Sequence, residues 1–134
     1  MNTRIRNPKR ASQLIDFIDL CVDGCIYPTD IDGLIEYRNN EFIILEVKFK
    51  GAEVPFGQKL ALTRMADAFA LAEKSAVVIV CEHDVIDTET AIVASECTVR
   101  EVYGGGTDNW FSVNYNITVQ EFVNMYHNQV KKGM

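Results

Sequence analysis

No apolar run in this 134-residue sequence approaches the roughly 20 residues that span a bilayer. The longest run, residues 76–81, is only of strand length. The basic stretch at residues 1–10 is not followed by an uninterrupted apolar segment and a small-residue cleavage site, so no secretory signal is predicted. We therefore expect a cytoplasmic protein without a membrane partner.

Cysteine patterns typical of zinc sites are also missing. The four cysteines include no Cys-x-x-Cys pair, and the two histidines, His83 and His127, lie far apart in the sequence. Structural zinc sites usually carry closely spaced ligand pairs, so a zinc site is the less favoured alternative. Cysteines in a reducing compartment usually remain buried thiols. The sequence thus predicts core thiols at Cys21, Cys25, Cys81 and Cys97.

Positive charge is scarce: 13 Lys and Arg are set against 19 Asp and Glu, for a net charge of −6. Nucleic-acid binding depends on Lys and Arg contacts to phosphates, so this balance counts against a large nucleic-acid interface. The basic residues are nevertheless clustered, at Arg4, Arg6, Lys9 and Arg10, at Lys48 and Lys50, and at Lys131 and Lys132. Local basic surface could still meet a phosphate backbone, and charge alone decides nothing about function.

The first half of the sequence predicts a helix followed by a β-hairpin. Apolar residues recur at helical spacing after Ser12, a suitable N-cap, and Gly24 is a suitable stop. Residues 31–37 and 42–49 are predicted strands, joined by a polar turn at residues 38–41. Such a short connection implies antiparallel pairing.

The rest of the chain completes a single predicted domain. Residues 57–74 repeat with a helical period and residues 76–81 form a short buried strand, which together predict a parallel crossover. Further short strands are predicted at 91–93, 98–103 and 110–113, before a final helix capped by Thr118 with Val119, Phe122, Val123 and Tyr126 on its apolar face. The predicted fold class is therefore α/β over residues 1–134, with a mixed central sheet flanked by helices, an α-β-β-α-β core and a small C-terminal β and α appendage.

Charged residues gather where the two hairpin strands meet. The second strand is apolar on both faces, as in a sheet covered on both sides, until it reaches Glu46 and Lys48. Strand side chains alternate, so Glu46 and Lys48 share one face, and Asp30 and Asp32 share a face of the first strand. Asp32 and Glu46 are equally far along the chain from the turn at Asn39, so the hairpin places them side by side. Charges there require pairing or a metal ion.

Two carboxylates beside a lysine suit metal-assisted hydrolysis of a phosphodiester. Hard cations such as Mg²⁺ bind few carboxylates and keep several waters, one of which can become the nucleophile. The ion also offsets charge that develops on the phosphate. A neighbouring lysine can orient or deprotonate the attacking water, which would be the role of Lys48.

An Asp-x(n)-Glu-x-Lys pattern on adjacent strands, between two helices, resembles the PD-(D/E)XK nuclease superfamily of restriction enzymes, Holliday-junction resolvases and lambda exonuclease. Residues 28–33, Pro-Thr-Asp-Ile-Asp-Gly, look like its Pro-Asp element, and residues 45–48, Leu-Glu-Val-Lys, like its Glu-x-Lys element. Residues 57–62, Gly-Gln-Lys-Leu-Ala-Leu, resemble the glutamine-bearing helix start that follows in several branches. The resemblance covers residues 12–82, more than half of the chain.

This resemblance implies a restriction-endonuclease-like fold and a nuclease that hydrolyses DNA with Mg²⁺ or Mn²⁺. Asp32 and Glu46 would bind the metal, with Asp30 as a further ligand. Lys48 would serve the attacking water, and Gln58 would support the site. Asp32, which lies level with Glu46, is favoured over Asp30 as the primary acid.

Three further expectations accompany the resemblance. Many members carry another acid on the first helix, a place that Asp16 or Asp19 could fill. Small nucleases of this type frequently act as homodimers. The superfamily also contains members that only bind nucleic acid or proteins, so a catalytically inactive module of the same fold is the alternative, as is a structure-selective binder of DNA junctions.

Overall fold

Five strands form one mixed sheet in the computed structural model, which describes residues 13–24 and 26–133. The strands are β1 (Gly33–Tyr37), β2 (Glu41–Phe49), β3 (Ser75–His83), β4 (Thr98–Gly104) and β5 (Trp110–Ser112). Helix α1 spans Phe56–Leu71, helix α2 spans Val119–Lys132, and a 3-10 turn spans Ala94–Glu96. Among the described residues, no helix is long and apolar enough to cross a membrane.

Strands β1 and β2 form the predicted antiparallel hairpin, with Gly33 opposite Leu45 and Tyr37 opposite Glu41. The turn between them uses two residues with positive φ, Arg38 at 49° and Asn39 at 56°. The N–H of Asn39 donates to the carboxylate of Glu36 at 2.6 Å, which closes the turn. This turn fixes the register of the hairpin and therefore the position of Glu46 relative to the start of β1.

The predicted parallel crossover is also confirmed. Strand β3 pairs parallel to β2 after the chain returns through α1, whereas β4 and β5 each add antiparallel to the preceding strand. The sequence predicted that the C-terminal elements form a small appendage. This prediction is wrong, because β4 and β5 extend the same sheet. The α/β class with a mixed central sheet and flanking helices stands.

Each face of the sheet is covered by one helix. On one face Ile44, Val78 and Tyr103 pack with Leu62 and Ala66 of α1. On the other face the core combines strand residues with α2: Ile43, Val77, Ile79, Cys81, Val99, Val119 and Phe122. Alternate residues of β2 and β3 enter the two cores, which explains why these strands are apolar on both sides.

Helix α2 begins as the sequence predicted. The hydroxyl of Thr118 accepts the Glu121 N–H at 3.1 Å, and the Glu121 carboxylate accepts the Thr118 N–H at 3.1 Å, forming a capping box. Farther along the helix, His127 Nδ1 lies 2.6 Å from Glu41 Oε2, at the start of β2. The cap stabilises the start of α2, and the contact between His127 and Glu41 ties the helix to the sheet.

The predicted first helix is wrong within residues 13–24, and its proposed cap, Ser12, lies outside the described residues. This segment contains turns and one bridge between Val22 and Ile26, and Leu14 is 98% exposed. The Ile18 N–H donates to the Asp16 carboxylate at 2.8 Å, a local bond that competes with helix formation. The two cores form between the sheet and the helices α1 and α2, and neither core includes a residue of this segment.

Two strand predictions also need correction. Strand β1 begins at Gly33 rather than Ile31, so Asp30 and Asp32 lie in the segment before the strand and not on one of its faces. Residues 91–93 do not form a strand and instead lead into the 3-10 turn.

The thiol prediction holds for two of the three described cysteines. Cys81 and Cys97 are buried, whereas Cys21 is exposed, and Cys25 lies outside the described residues. Burial is the main reason why the pKa of the Cys81 thiol rises to about 12, and burial also raises the pKa of the Cys97 thiol. Both are therefore protonated, unreactive core groups at neutral pH.

The turn after β4 depends on a glycine that packs against α1. A Cβ at Gly105 would lie 2.4 Å from the carbonyl oxygen of Ala66. The adjacent Asp67 carboxylate accepts the Tyr103 hydroxyl at 2.6 Å and the Gly106 N–H at 2.8 Å, so the turn has little freedom to move away.

We expect Gly105→Ala to lower the free energy of unfolding by about 2 kcal/mol or more, because the backbone must shift to relieve the overlap. Gly57→Ala is the matched control: a Cβ there meets nothing within 4 Å, and alanine favours the helix by up to about 1 kcal/mol. Urea unfolding of both variants measures the difference. Equal stability of the Gly105→Ala variant and the wild type would contradict the tight packing.

Candidate active site

The predicted site residues meet at the carboxyl end of β2, beside the start of α1. Glu46 and Lys48 extend from β2, and Asp32 precedes β1, whose first residue lies opposite Leu45. The Val47 N–H donates to Asp32 Oδ2 at 2.7 Å, which ties the aspartate to β2 beside Glu46. The convergence of Asp32, Glu46 and Lys48 predicted from the hairpin is therefore confirmed.

These three residues line one cavity of about 480 Å³ together with the other predicted site residues. The lining consists of Pro28, Thr29, Asp30, Asp32, Glu46, Val47, Lys48, Pro55 and Gln58. Pro55 is the residue before α1, so the helix start forms one wall of the cavity. The segment before β1 contributes Pro28, Thr29, Asp30 and Asp32 to the lining.

Glu46 is the most unusual charge in this cavity. Glu46 is only 2% exposed to solvent. Its carboxylate oxygen Oε1 forms an ion pair with Lys48 Nζ at 3.3 Å. The other carboxylate oxygen, Oε2, is buried and has no hydrogen-bond partner among the described residues. Burial raises the pKa of the Glu46 carboxyl, and the negative charge of Asp32 raises it further, while Lys48 acts in the opposite direction. A buried carboxylate oxygen without a donor is costly unless a proton or a cation satisfies it.

Gln58 connects α1 to the segment before β1. Its side-chain Nε2 donates to the backbone oxygen of Asp30 at 3.2 Å, which holds that segment against the helix. Within the part of the chain that the structure describes, no three His, Cys, Asp or Glu side chains converge closely enough to hold a metal ion. Asp30 thus lines the cavity without forming a three-carboxylate cluster with Asp32 and Glu46.

The acid expected from a first helix is not placed at the site. Asp16 and Asp19 lie in the non-helical segment, and neither lines the cavity around Glu46. Asp16 instead borders a separate apolar depression that includes Phe17 and Tyr27.

Charged residues that sequence reasoning missed line a separate cavity farther across the sheet. Glu82 of β3 lies opposite Lys48 in the parallel pairing and forms an ion pair of 3.5 Å with Arg100. Beyond them, Lys59 of α1 pairs with Glu101 at 3.2 Å. The parallel register of β2 and β3 would have indicated Glu82, because Glu82 is the residue of β3 that lies opposite Lys48.

The donor set fits a small hard cation. Mg²⁺ is commonly bound by one or two carboxylates while it keeps several waters, and carboxylate oxygens are also suited to Mn²⁺. Asp32 and Glu46 supply two carboxylates, and the unpartnered Oε2 of Glu46 leaves an acceptor free for an ion. The residues present are therefore compatible with a divalent-metal site.

The raised pKa of Glu46 predicts a pH-dependent stability of the metal-free protein. The folded state binds a proton at this carboxyl more tightly than the unfolded chain, where the ordinary value is 4.5. The free energy of unfolding therefore falls as the pH rises above 4.5 and through the raised pKa. In chelator, Glu46→Gln should remove this loss and raise the melting temperature at pH 7 relative to wild type.

The stability gain of Glu46→Gln should shrink towards pH 4, where the wild-type carboxyl is also neutral. Glu89→Gln removes the same charge from an exposed loop and is the matched control. Thermal melts in chelator between pH 4 and pH 7 test this directly. A Glu46→Gln variant that is less stable than wild type at pH 7 would show that the carboxylate is satisfied without metal.

No protein-family model, curated protein or solved structure matches this chain. A family assignment is therefore a proposal, supported by the residues around Asp32, Glu46 and Lys48.

Proposed function

We propose that this protein is a divalent-metal-dependent nuclease of the PD-(D/E)XK type that hydrolyses DNA phosphodiester bonds with Mg²⁺ or Mn²⁺. The observation that carries the proposal is the buried Glu46 carboxylate, with one oxygen paired to Lys48 and the other unpartnered, beside a second carboxylate from Asp32. Two clustered carboxylates in a cavity repel each other and are retained where a cation compensates them.

The residues of the chain take distinct roles in this proposal. Asp32 and Glu46 would hold the ion, which when bound supplies an activated water and offsets negative charge on the phosphate. Lys48 Nζ, half-buried at the cavity, would orient the water and exchange a proton with it. Gln58 acts by positioning, because its bond to the Asp30 backbone keeps the segment that carries Asp32 in place.

Rigid placement supports a catalytic role. Glu46 and Lys48 lie on β2 where this strand is paired with β3, and Asp32 is tied to β2 by the Val47 N–H. Catalytic groups built on paired strands are held more precisely than groups on free loops.

The alternative function is a catalytically inactive module of the same fold that binds nucleic acid or a protein. The 3.3 Å pair between Lys48 and Glu46 favours it, since that pair partly neutralises the site without an ion. The net charge of −6 also favours a partner other than DNA.

A supercoiled-plasmid assay distinguishes these functions. We expect nicking or degradation with Mg²⁺ or Mn²⁺ that is abolished by chelator and by Glu46→Gln, while Glu89→Gln remains active. Parallel reactions on linear duplex and branched DNA identify a junction-selective enzyme. Metal-independent retention of DNA without cleavage would instead support the inactive module.

A further inference from the structure

An apolar depression of about 530 Å³ adjoins the candidate site. Its lining consists of Ile15, Asp16, Phe17, Ile18 and Tyr27. Tyr27 is followed directly by Pro28, which lines the candidate site, so the two cavities adjoin at the peptide between these residues. Small-molecule sites commonly have a volume of this size and an apolar, aromatic lining with few polar groups. The depression therefore has the composition of a ligand pocket.

The apolar side chains of this lining are open to solvent. Ile15 and Ile18 are 75% and 74% exposed, Phe17 and Tyr27 are 40% and 55% exposed, and neither core includes any of them. Single exposed apolar residues are common on protein surfaces, whereas a contiguous apolar patch usually marks a binding surface. Because two of the four residues are aromatic, the patch offers ring faces on which a planar ligand can stack.

The charges around the candidate site limit the form of DNA that can bind there. The net charge is −6, and Lys48, Lys59 and Arg100 each form an ion pair with a glutamate. Duplex binding depends on many contacts between phosphates and free Lys or Arg side chains. Stacking of unpaired bases on aromatic side chains is a different source of affinity, and it is available only where a base has left the duplex.

We propose that the depression binds an unpaired base of the DNA strand whose backbone lies at the candidate site. This inference rests on the proposed function for the identity of its ligand. The base stacks on Phe17 or Tyr27. Asp16 Oδ1 accepts the Ile18 N–H at 2.8 Å, and the second oxygen of this carboxylate can accept a hydrogen bond from the amino group of a base. The preferred substrate is then single-stranded DNA, or a duplex with unpaired nucleotides at the cleaved bond.

Fluorescence anisotropy with labelled oligonucleotides in chelator measures binding separately from cleavage. We expect wild type to bind a single strand about tenfold or more tightly than the matching duplex. Tyr27→Ala should lower the affinity for the single strand about 5- to 100-fold, the usual range for loss of a stacking residue, and should not change the affinity for duplex. Tyr115→Ala is the matched control, because Tyr115 is 61% exposed and lines neither cavity.

Two further substitutions of Tyr27 separate stacking from packing. Tyr27→Trp keeps an aromatic face and should retain the affinity for the single strand, whereas Tyr27→Leu keeps apolar bulk without that face and should bind like Tyr27→Ala. Wild-type affinity in Tyr27→Leu, or equal affinity of wild type for single strand and duplex, would overturn the inference. Tyr27→Ala protein with unchanged DNA affinity but altered sedimentation would assign the depression to a contact between copies, which also overturns it.

The outcomes also distinguish this inference from the proposed function. Stacking-dependent binding of single strands without cleavage in Mg²⁺ or Mn²⁺ would leave the inference standing and remove the nuclease activity. Metal-dependent cleavage with no preference for unpaired DNA would retain the nuclease and contradict the base pocket.

Discussion

Lys48→Ala is expected to slow metal-supported DNA cleavage by about 10²-fold or more, the usual contribution of a positioned proton-transfer group. Lys48 Nζ lies 3.3 Å from Glu46 Oε1, on the strand that carries the proposed metal ligand, so in the proposed mechanism its ammonium would lie beside the activated water. Only the side chain beyond Cβ is removed, and we expect the sheet to remain intact by circular dichroism.

Lys50→Ala is the control for this experiment. It removes the same charge two residues farther along, at an exposed position outside the cavity. Single-turnover rates at saturating enzyme separate the chemical step from DNA binding. Equal rates for wild type and Lys48→Ala would remove this lysine from the mechanism.

The second large effect concerns the two aspartates. Asp32→Asn should abolish Mn²⁺ binding, because the amide keeps the shape of the carboxylate but loses its charge. The amide oxygen can still accept the Val47 N–H, so the backbone should not change. Without metal the variant should melt at a higher temperature than wild type, since the repulsion between Asp32 and Glu46 is removed.

Asp30→Asn should weaken Mn²⁺ binding only about 10- to 100-fold, the scale for a residue that supports a ligand. Asp30 lines the cavity and is held through its backbone oxygen by Gln58, so its carboxylate is not needed to maintain the segment. Thermal shifts of both variants with and without Mn²⁺ provide the measurement. Loss of binding in Asp30→Asn alone would make Asp30 the primary ligand, and unchanged binding in both would favour the inactive module.

The hairpin and its charged end were predictable because they depend on local rules. Alternation along a strand places Glu46 and Lys48 on one side, and the short turn at Arg38 and Asn39 fixes the register that ends with Gly33 opposite Leu45, next to Glu46. The Thr118 capping box is equally local. Such features require no knowledge of the remaining chain.

The errors arose where distant packing decides the structure. Residues 13–24 have the apolar spacing of a helix, but the two cores form between the sheet and the helices α1 and α2, and neither core includes these residues. The Glu82–Arg100 pair beside Lys48 depends on the β2–β3 and β3–β4 registers together. The requirement for glycine at position 105 depends on how closely the turn approaches α1.

Calorimetric titration of Mn²⁺ into the metal-free protein tests the central claim most directly. If Asp32 and Glu46 form a metal site, wild type should bind at least one Mn²⁺ per chain, Glu46→Gln should bind none at the same concentrations, and Glu89→Gln should match wild type. Absence of binding heat in wild type, or equal binding by wild type and Glu46→Gln, would contradict a metal site at these carboxylates.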